Sequence, residues 1–165
     1  MTQEKFDRQI SAAKNGDAVW KALEQLSRSM DGHKLFTVMT VDLAASLAKR
    51  VYSNHPTAYP VTGTKPIHHD TWFDIVHGQR RSFVANTIID IANVFPDFEL
   101  IQSLGCGSVI NLPVVFKGDL VATINLLHVA QHYTPERVAI IESKLSLPAK
   151  LCSALALLFD VPQHG

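Results

Sequence analysis

Apolar positions recur at helical spacing over the first part of the chain. Residues 3–14 read as a first helix, ended by Asn15-Gly16. Asp17 is the expected N-cap of a second, in which Val19, Leu23, Leu26 and Met30 share one face with Trp20 beside them, and Asp31-Gly32 stops it. The pattern then turns β-branched and aromatic. Lys34 to Asp42 reads as a strand, with Ala48 to Asn54 as its antiparallel neighbour. A loop carrying Pro56, Pro60, Gly63 and Pro66 follows. Asp70 then caps a short helix bearing Trp72, Phe73, Ile75 and Val76, closed by Gly78. Arg81 to Ala85 is a short strand, and Thr87–Val94 and Asp97–Leu104 are two short helices broken at Phe95-Pro96. Two strand-like runs, from Gly107 and from Asp119, meet at a tight Lys117-Gly118 turn. Thr134 with Pro135 starts a last helix, which Pro148 is expected to kink or split.

This order of helices and mostly antiparallel strands implies an α+β sheet with helices on both faces. A length of 165 residues suits one domain. The 15 basic and 15 acidic residues cancel, so composition offers no general attraction to nucleic acid. Cys106 and Cys152 form no disulfide or zinc spacing and point to a reducing setting. The N-terminus leads into no signal segment, and the longest apolar stretch, Leu151 to Phe159, is too short for a bilayer. The expectation is a cytoplasmic protein without membrane or nucleic-acid partners.

Asn111, Thr123 and Asn125 lie inside the two late apolar strands. Asparagine is disfavoured in strands, and a buried amide must find a partner or lose free energy. Counting by twos puts Val109, Asn111 and Pro113 on one face, and Val121, Thr123, Asn125 and Leu127 on one face of the next strand, so the three polar groups are expected to converge. The same count pairs Arg50 with Tyr52 on one side and Ser53 opposite.

The strand pair around Lys117-Gly118, the Tyr133-Thr-Pro-Glu-Arg-Val138 helix start, Phe95-Pro96-Asp97 and Ser103-Leu-Gly-Cys-Gly-Ser108 resemble a GAF domain, a small ligand-sensing fold related to PAS domains. Arg50-Val-Tyr-Ser-Asn54, Ala58-Tyr-Pro60 and Gly63-Thr-Lys-Pro66 resemble a subset of free-standing bacterial GAF proteins. The resemblance covers roughly residues 17–160. It implies one domain over 1–165, with that stretch as its core and 3–14 as an N-terminal helical extension. It implies a GAF/PAS-like antiparallel sheet with one face on the terminal helices and the other facing a pocket roofed by the middle segment. The roof would supply Tyr59, Trp72, Phe83 and Phe98, joining Arg50, Tyr52, Asn111, Thr123 and Asn125 as ligand-binding residues.

The function so implied is a small-molecule-binding sensory or regulatory module, acting without a fused output domain through a partner or self-association. A homodimer through the terminal helices is expected, since Leu145, Leu151, Leu155, Leu158 and Phe159, with Trp20, exceed what one sheet face needs. Lys65, Arg50, Arg80 and Arg81 are the cations nearest the pocket, which suits a small anion or metabolite. No cofactor is expected, because the bilin, cyclic-nucleotide and methionine-sulfoxide-reductase patterns of other GAF domains are missing. The alternative is a small enzyme in the same cavity, thiol-dependent through Cys106 or metal-dependent through His69 and His77. No charged neighbour in sequence activates Cys106, and the histidines lack a third converging ligand, so no catalytic residue and no metal are expected.

Overall fold

The computed structural model describes residues 1–61 and 63–160; the last five residues of the expected domain lie outside these. Helix α1 (Gln3–Ala12) is capped by Thr2, whose Oγ1 accepts the Lys5 N–H. Helix α2 (Gly16–Asp31) begins one residue before the expected cap. Asn15, not Asp17, accepts the Ala18 N–H at 2.8 Å, and Asp17 falls in the first turn, where a carboxylate complements the helix dipole. Gly32 ends α2 at φ +69°.

Six antiparallel strands form one sheet: β1 (Leu35–Asp42), β2 (Leu47–Ser53), β3 (Thr64–Pro66), β4 (Phe83–Ala85), β5 (Ser108–Phe116) and β6 (Asp119–His128), in the order β3-β2-β1-β6-β5-β4. The β5–β6 turn places both Lys117 and Gly118 at positive φ, the type I′ geometry whose twist suits a two-residue hairpin. Strand β3 was not expected; three residues between Gly63 and Ile67 are too few to show a period of two.

One sheet face carries Phe36, Val38, Ile110, Leu112, Val114, Ala122, Ile124 and Leu126, all buried. Helix α2 lays Val19, Trp20, Leu23 and Leu26 on it, and α6 (Pro135–Asp160) adds Ile141, Leu145, Ala149 and Cys152. Helix α1 is part of this core, because Phe6 and Ile10 are buried in it. Pro148 does not split α6, which runs unbroken for 26 residues. Trp20 and Leu145 are core residues, whereas Leu151, Leu158 and Phe159 remain exposed.

The opposite face is covered by the segment between β2 and β5. It contains α3 (Thr71–Phe73), continued by a wide π-helical turn over Asp74–Gly78, then α4 (Ile88–Ala92) and α5 (Phe98–Ser103). Among the described residues no helix is long and apolar enough to cross a membrane.

Candidate functional site

Strand register decides which side chains face this covering segment. Thr37 pairs with Asn125, Asn125 with Asn111, and Met39 with Thr123, so these residues form one cross-strand row and its neighbour. Two bulges change the count. In β2, Val38 pairs with Tyr52 but Met39 pairs with Arg50, leaving Val51 as the extra residue. Arg50 therefore joins the covered face, while Tyr52 turns to the α2 side. There its hydroxyl donates to Glu24 Oε2 at 2.7 Å, which corrects its expected place beside Arg50. In β5–β6, Val114 pairs with Ala122 and Val115 with Leu120, so Val121 turns away from Thr123 and Leu120 takes its place.

Between this face and its cover lies a cavity of about 350 Å³. That volume is within the range of small-molecule pockets. Leu35, Met39, Val41, Ile101, Val109 and Leu127 make much of its wall apolar. Of the expected ligand-binding residues, Arg50, Tyr59, Trp72, Asn111, Thr123 and Asn125 line it. Phe83 and Phe98 do not. Phe83 lies opposite Asn111, but its ring packs edge-on against Phe95 at 5.9 Å, and both Phe83 and Phe98 are partly buried against the outside of the smaller core cluster, whose Leu35, Tyr59, Ile101, Val109 and Leu127 line the cavity. One turn along α5 from Phe98, Ile101 reaches the cavity instead.

The floor is a chain of directed hydrogen bonds. Trp72 Nε1 donates to Asn111 Oδ1 at 2.9 Å, Asn111 Nδ2 to Asn125 Oδ1 at 2.7 Å, and Asn125 Nδ2 to Thr37 Oγ1 at 3.2 Å. The two amides are thereby held in fixed orientation across three strands and tied to the roof. A carboxamide has two donors and two acceptor lone pairs, so each keeps capacity beyond these bonds. Thr37 was missed in the sequence, although it carries the same signal as the asparagines: a polar residue alternating with Leu35 and Met39 in an apolar strand.

One end of the cavity is charged. The Arg50 guanidinium lies 4.8 Å from the Tyr59 ring centroid, and its Nη1 donates to the Pro60 carbonyl at 3.2 Å. Tyr59 donates in turn to Asp97 Oδ2 at 2.5 Å. Burial, with the Asp97 carboxylate, pushes the Tyr59 hydroxyl well above its ordinary value. Lys65 pairs with Ala48 at the sheet edge and lines the same end. Although the residue is exposed overall, its ammonium has lost part of its solvent, which lowers its pKa; Asp97 opposes that shift and Arg50 adds to it. Arg80 and Arg81 do not line the cavity, and Arg80 donates to the Gly118 carbonyl at 2.7 Å.

The residues of the enzymatic alternative lie elsewhere. Cys106 is buried in the smaller core cluster, and desolvation raises its thiol pKa, with Lys34 pulling the other way, the reverse of an activated nucleophile. Burial pushes Cys152 up to about 12. His69 and His77 flank the Phe73 ring, at 4.4 and 4.7 Å between centroids. Among the described residues no three His, Cys, Asp or Glu side chains are grouped as a metal site.

No protein-family model matches the sequence, and no curated protein is similar to it. Solved structures do match. The GAF domain of a two-component sensor histidine kinase from Bacillus halodurans aligns over 87% of this chain and 96% of its own, with 12% identity and a TM-score of 0.65. A GAF domain/HD domain protein from Geobacter sulfurreducens aligns over 92% and 97%, with 12% identity and a TM-score of 0.66. The GAF domain of a phosphoenolpyruvate-protein phosphotransferase from Coxiella burnetii aligns over 94% and 90%, with 12% identity and a TM-score of 0.65. With its six antiparallel strands, two long helices on one face and a roofed cavity on the other, the chain has the fold of a GAF domain.

Proposed function

We propose that this chain is a regulatory module that binds a small molecule in the cavity over β1, β5 and β6 and performs no chemistry on it. The observation that carries the reading is the open cavity of about 350 Å³ floored by the Trp72–Asn111–Asn125–Thr37 chain. A core stabilised by apolar packing alone has no use for two aligned amides beside empty space. The similar domains from a sensor kinase and a phosphotransferase support the same class of role. Occupancy would be reported through the roof, which Trp72 ties to the floor, and through a second copy of the chain held by the exposed side of α6.

Thermal melts of the purified protein against a metabolite library test this. A compound at a hundred times its Kd stabilises by about 2.7 kcal/mol, which for a chain of this size is a Tm rise of roughly 5–10 °C. The same compound should lose its shift in Asn125→Ala. A library that moves the midpoint nowhere speaks against ligand binding.

A further inference from the structure

The charged end of the cavity limits what the ligand can be. Arg50 on β2 and Lys65 on β3 line the same end of the cavity. Among the described residues neither has a carboxylate within 4 Å. The two acidic side chains on the same lining are already engaged: Asp97 accepts the Tyr59 hydroxyl, and Asp70 accepts the Phe73 N–H as the cap of α3. Arg50 also has donor capacity to spare, since its Nε is buried without an acceptor. Lys65 is exposed and Arg50 half-buried, yet both have lost part of their solvent, and a cation drawn out of water gains from a paired anion. Asp97 acts on both cations only from beyond ion-pair distance, and the rest of the wall, apolar side chains with the neutral amides of Asn111 and Asn125, carries no carboxylate besides Asp97 and Asp70.

Resting on the small-molecule reading above, we propose that the ligand is an apolar monoanion, a hydrocarbon body against Leu35, Met39, Val109 and Leu127 with a single carboxylate-type head between Arg50 and Lys65. One head group satisfies both cations. A polyphosphate is disfavoured because Asp70 and Asp97 share the lining and would repel each added negative charge. A wholly neutral ligand would leave two cations unpaired in a site it had just dried, and desolvation already weighs on both. The guanidinium is pinned by Tyr59 and Pro60, so it is set in place before a ligand arrives.

The test is a titration of the whole chain, followed by intrinsic fluorescence, since Trp72 lines the cavity. The probes are straight, branched and aryl monocarboxylates of four to ten carbons, the primary amide of each, and inorganic phosphate. At least one acid should saturate the protein and bind tenfold or more tighter than its own amide. Lys65→Gln and Arg50→Gln should each weaken that acid about tenfold to a hundredfold. Lys65 is on an exposed edge strand, so its variant remains decisive if Arg50→Gln fails to fold. Amides that bind as well as acids, phosphate binding alone, or a preference for acid that survives both substitutions would overturn the monoanion. In each of those cases the cavity remains a ligand site. The monoanion is likewise overturned if no acid binds while an uncharged library compound raises the Tm. Failure of every probe and every library compound removes the ligand reading itself.

Discussion

Glu24 receives more donors than any other carboxylate described in the fold. Tyr52 Oη at 2.7 Å, Arg28 Nη2 at 2.7 Å and His33 Nε2 at 3.4 Å converge on its two oxygens. Burial alone would raise its pKa, but hydrogen bonds from His33, Arg28 and Tyr52 win and hold it at about 2. Its folded pKa is thus below that of a free glutamate, so its contribution is present above pH ~4.5 and is lost as pH falls toward 2. By linkage the contribution is roughly 3 kcal/mol. The expected outcome is that denaturant melts of the native chain lose stability between pH 5 and 2.5 more steeply than those of Glu24→Gln, and the two curves converge at the acid end. Parallel curves would mean that the carboxylate is not specially held. Trp72 gives a second residue-scale outcome. Trp72→Phe keeps an aromatic ring but leaves Asn111 Oδ1 without its donor, costing about 1–3 kcal/mol by denaturant melt. These residues also show what a sequence makes legible. Asn111, Thr123 and Asn125 were placed on one face because that stretch of β6 runs without a register break. Tyr52 was misplaced because a bulge at Val51 leaves no mark in residue types.

Elements were legible where punctuation and period agreed. The Lys117-Gly118 hairpin, the Gly32 stop, and the Asp70 and Thr134 caps all form, since each is a local choice that tertiary contacts do not oppose. The roof was read poorly. Phe83 and Phe98 were assigned to the cavity, while Ile101 and Asp97, which do line it, were passed over. Loops and single-turn helices have no period, so the direction of each side chain there is fixed only by what it packs against. Pro148 shows local propensity overridden. Proline removes a backbone donor and crowds the carbonyl four residues back. Yet α6 continues across it, with Leu145, Ala149 and Cys152 locked into the core on either side. Pro148→Ala should therefore gain a helical hydrogen bond to the Lys144 carbonyl and stabilise the protein by about 1–3 kcal/mol in denaturant melts. A loss of stability would show that α6 packs better with the proline in place.

For the whole molecule, one apolar surface has no partner among the described residues. Past its buried stripe, α6 leaves Ile140, Leu147, Leu151 and Leu158 exposed, Leu147 by 74% and Leu158 by 68%. With Ala154, the positions 147, 151, 154 and 158 advance by four, three and four residues, and 140 and 147 are a heptad apart. That is the spacing of a coiled-coil seam, and it lies on the outer side of a helix whose inner side is already in the core. A single copy holds this seam against water. A second copy about a two-fold axis would cover it with the same residues, which is how isologous interfaces form. The sheet offers less, because both its edge strands, β3 and β4, are only three residues long. Sedimentation equilibrium at about 100 µM should accordingly give twice the 18.2 kDa chain mass. Leu147→Glu with Leu158→Glu should return it to a monomer with an unchanged far-ultraviolet circular dichroism spectrum, because neither side chain contributes to the core. A native chain that sediments as a monomer at that concentration overturns the pairing. If the mutant remains a dimer, the contact lies on some surface other than this seam. Because α6 packs on β5 and β6, whose far side forms the cavity floor, the dimer also gives a second measurement of occupancy: a ligand that shifts the thermal midpoint should shift the monomer–dimer equilibrium in the same samples, and the seam mutant should keep the first shift while losing the second.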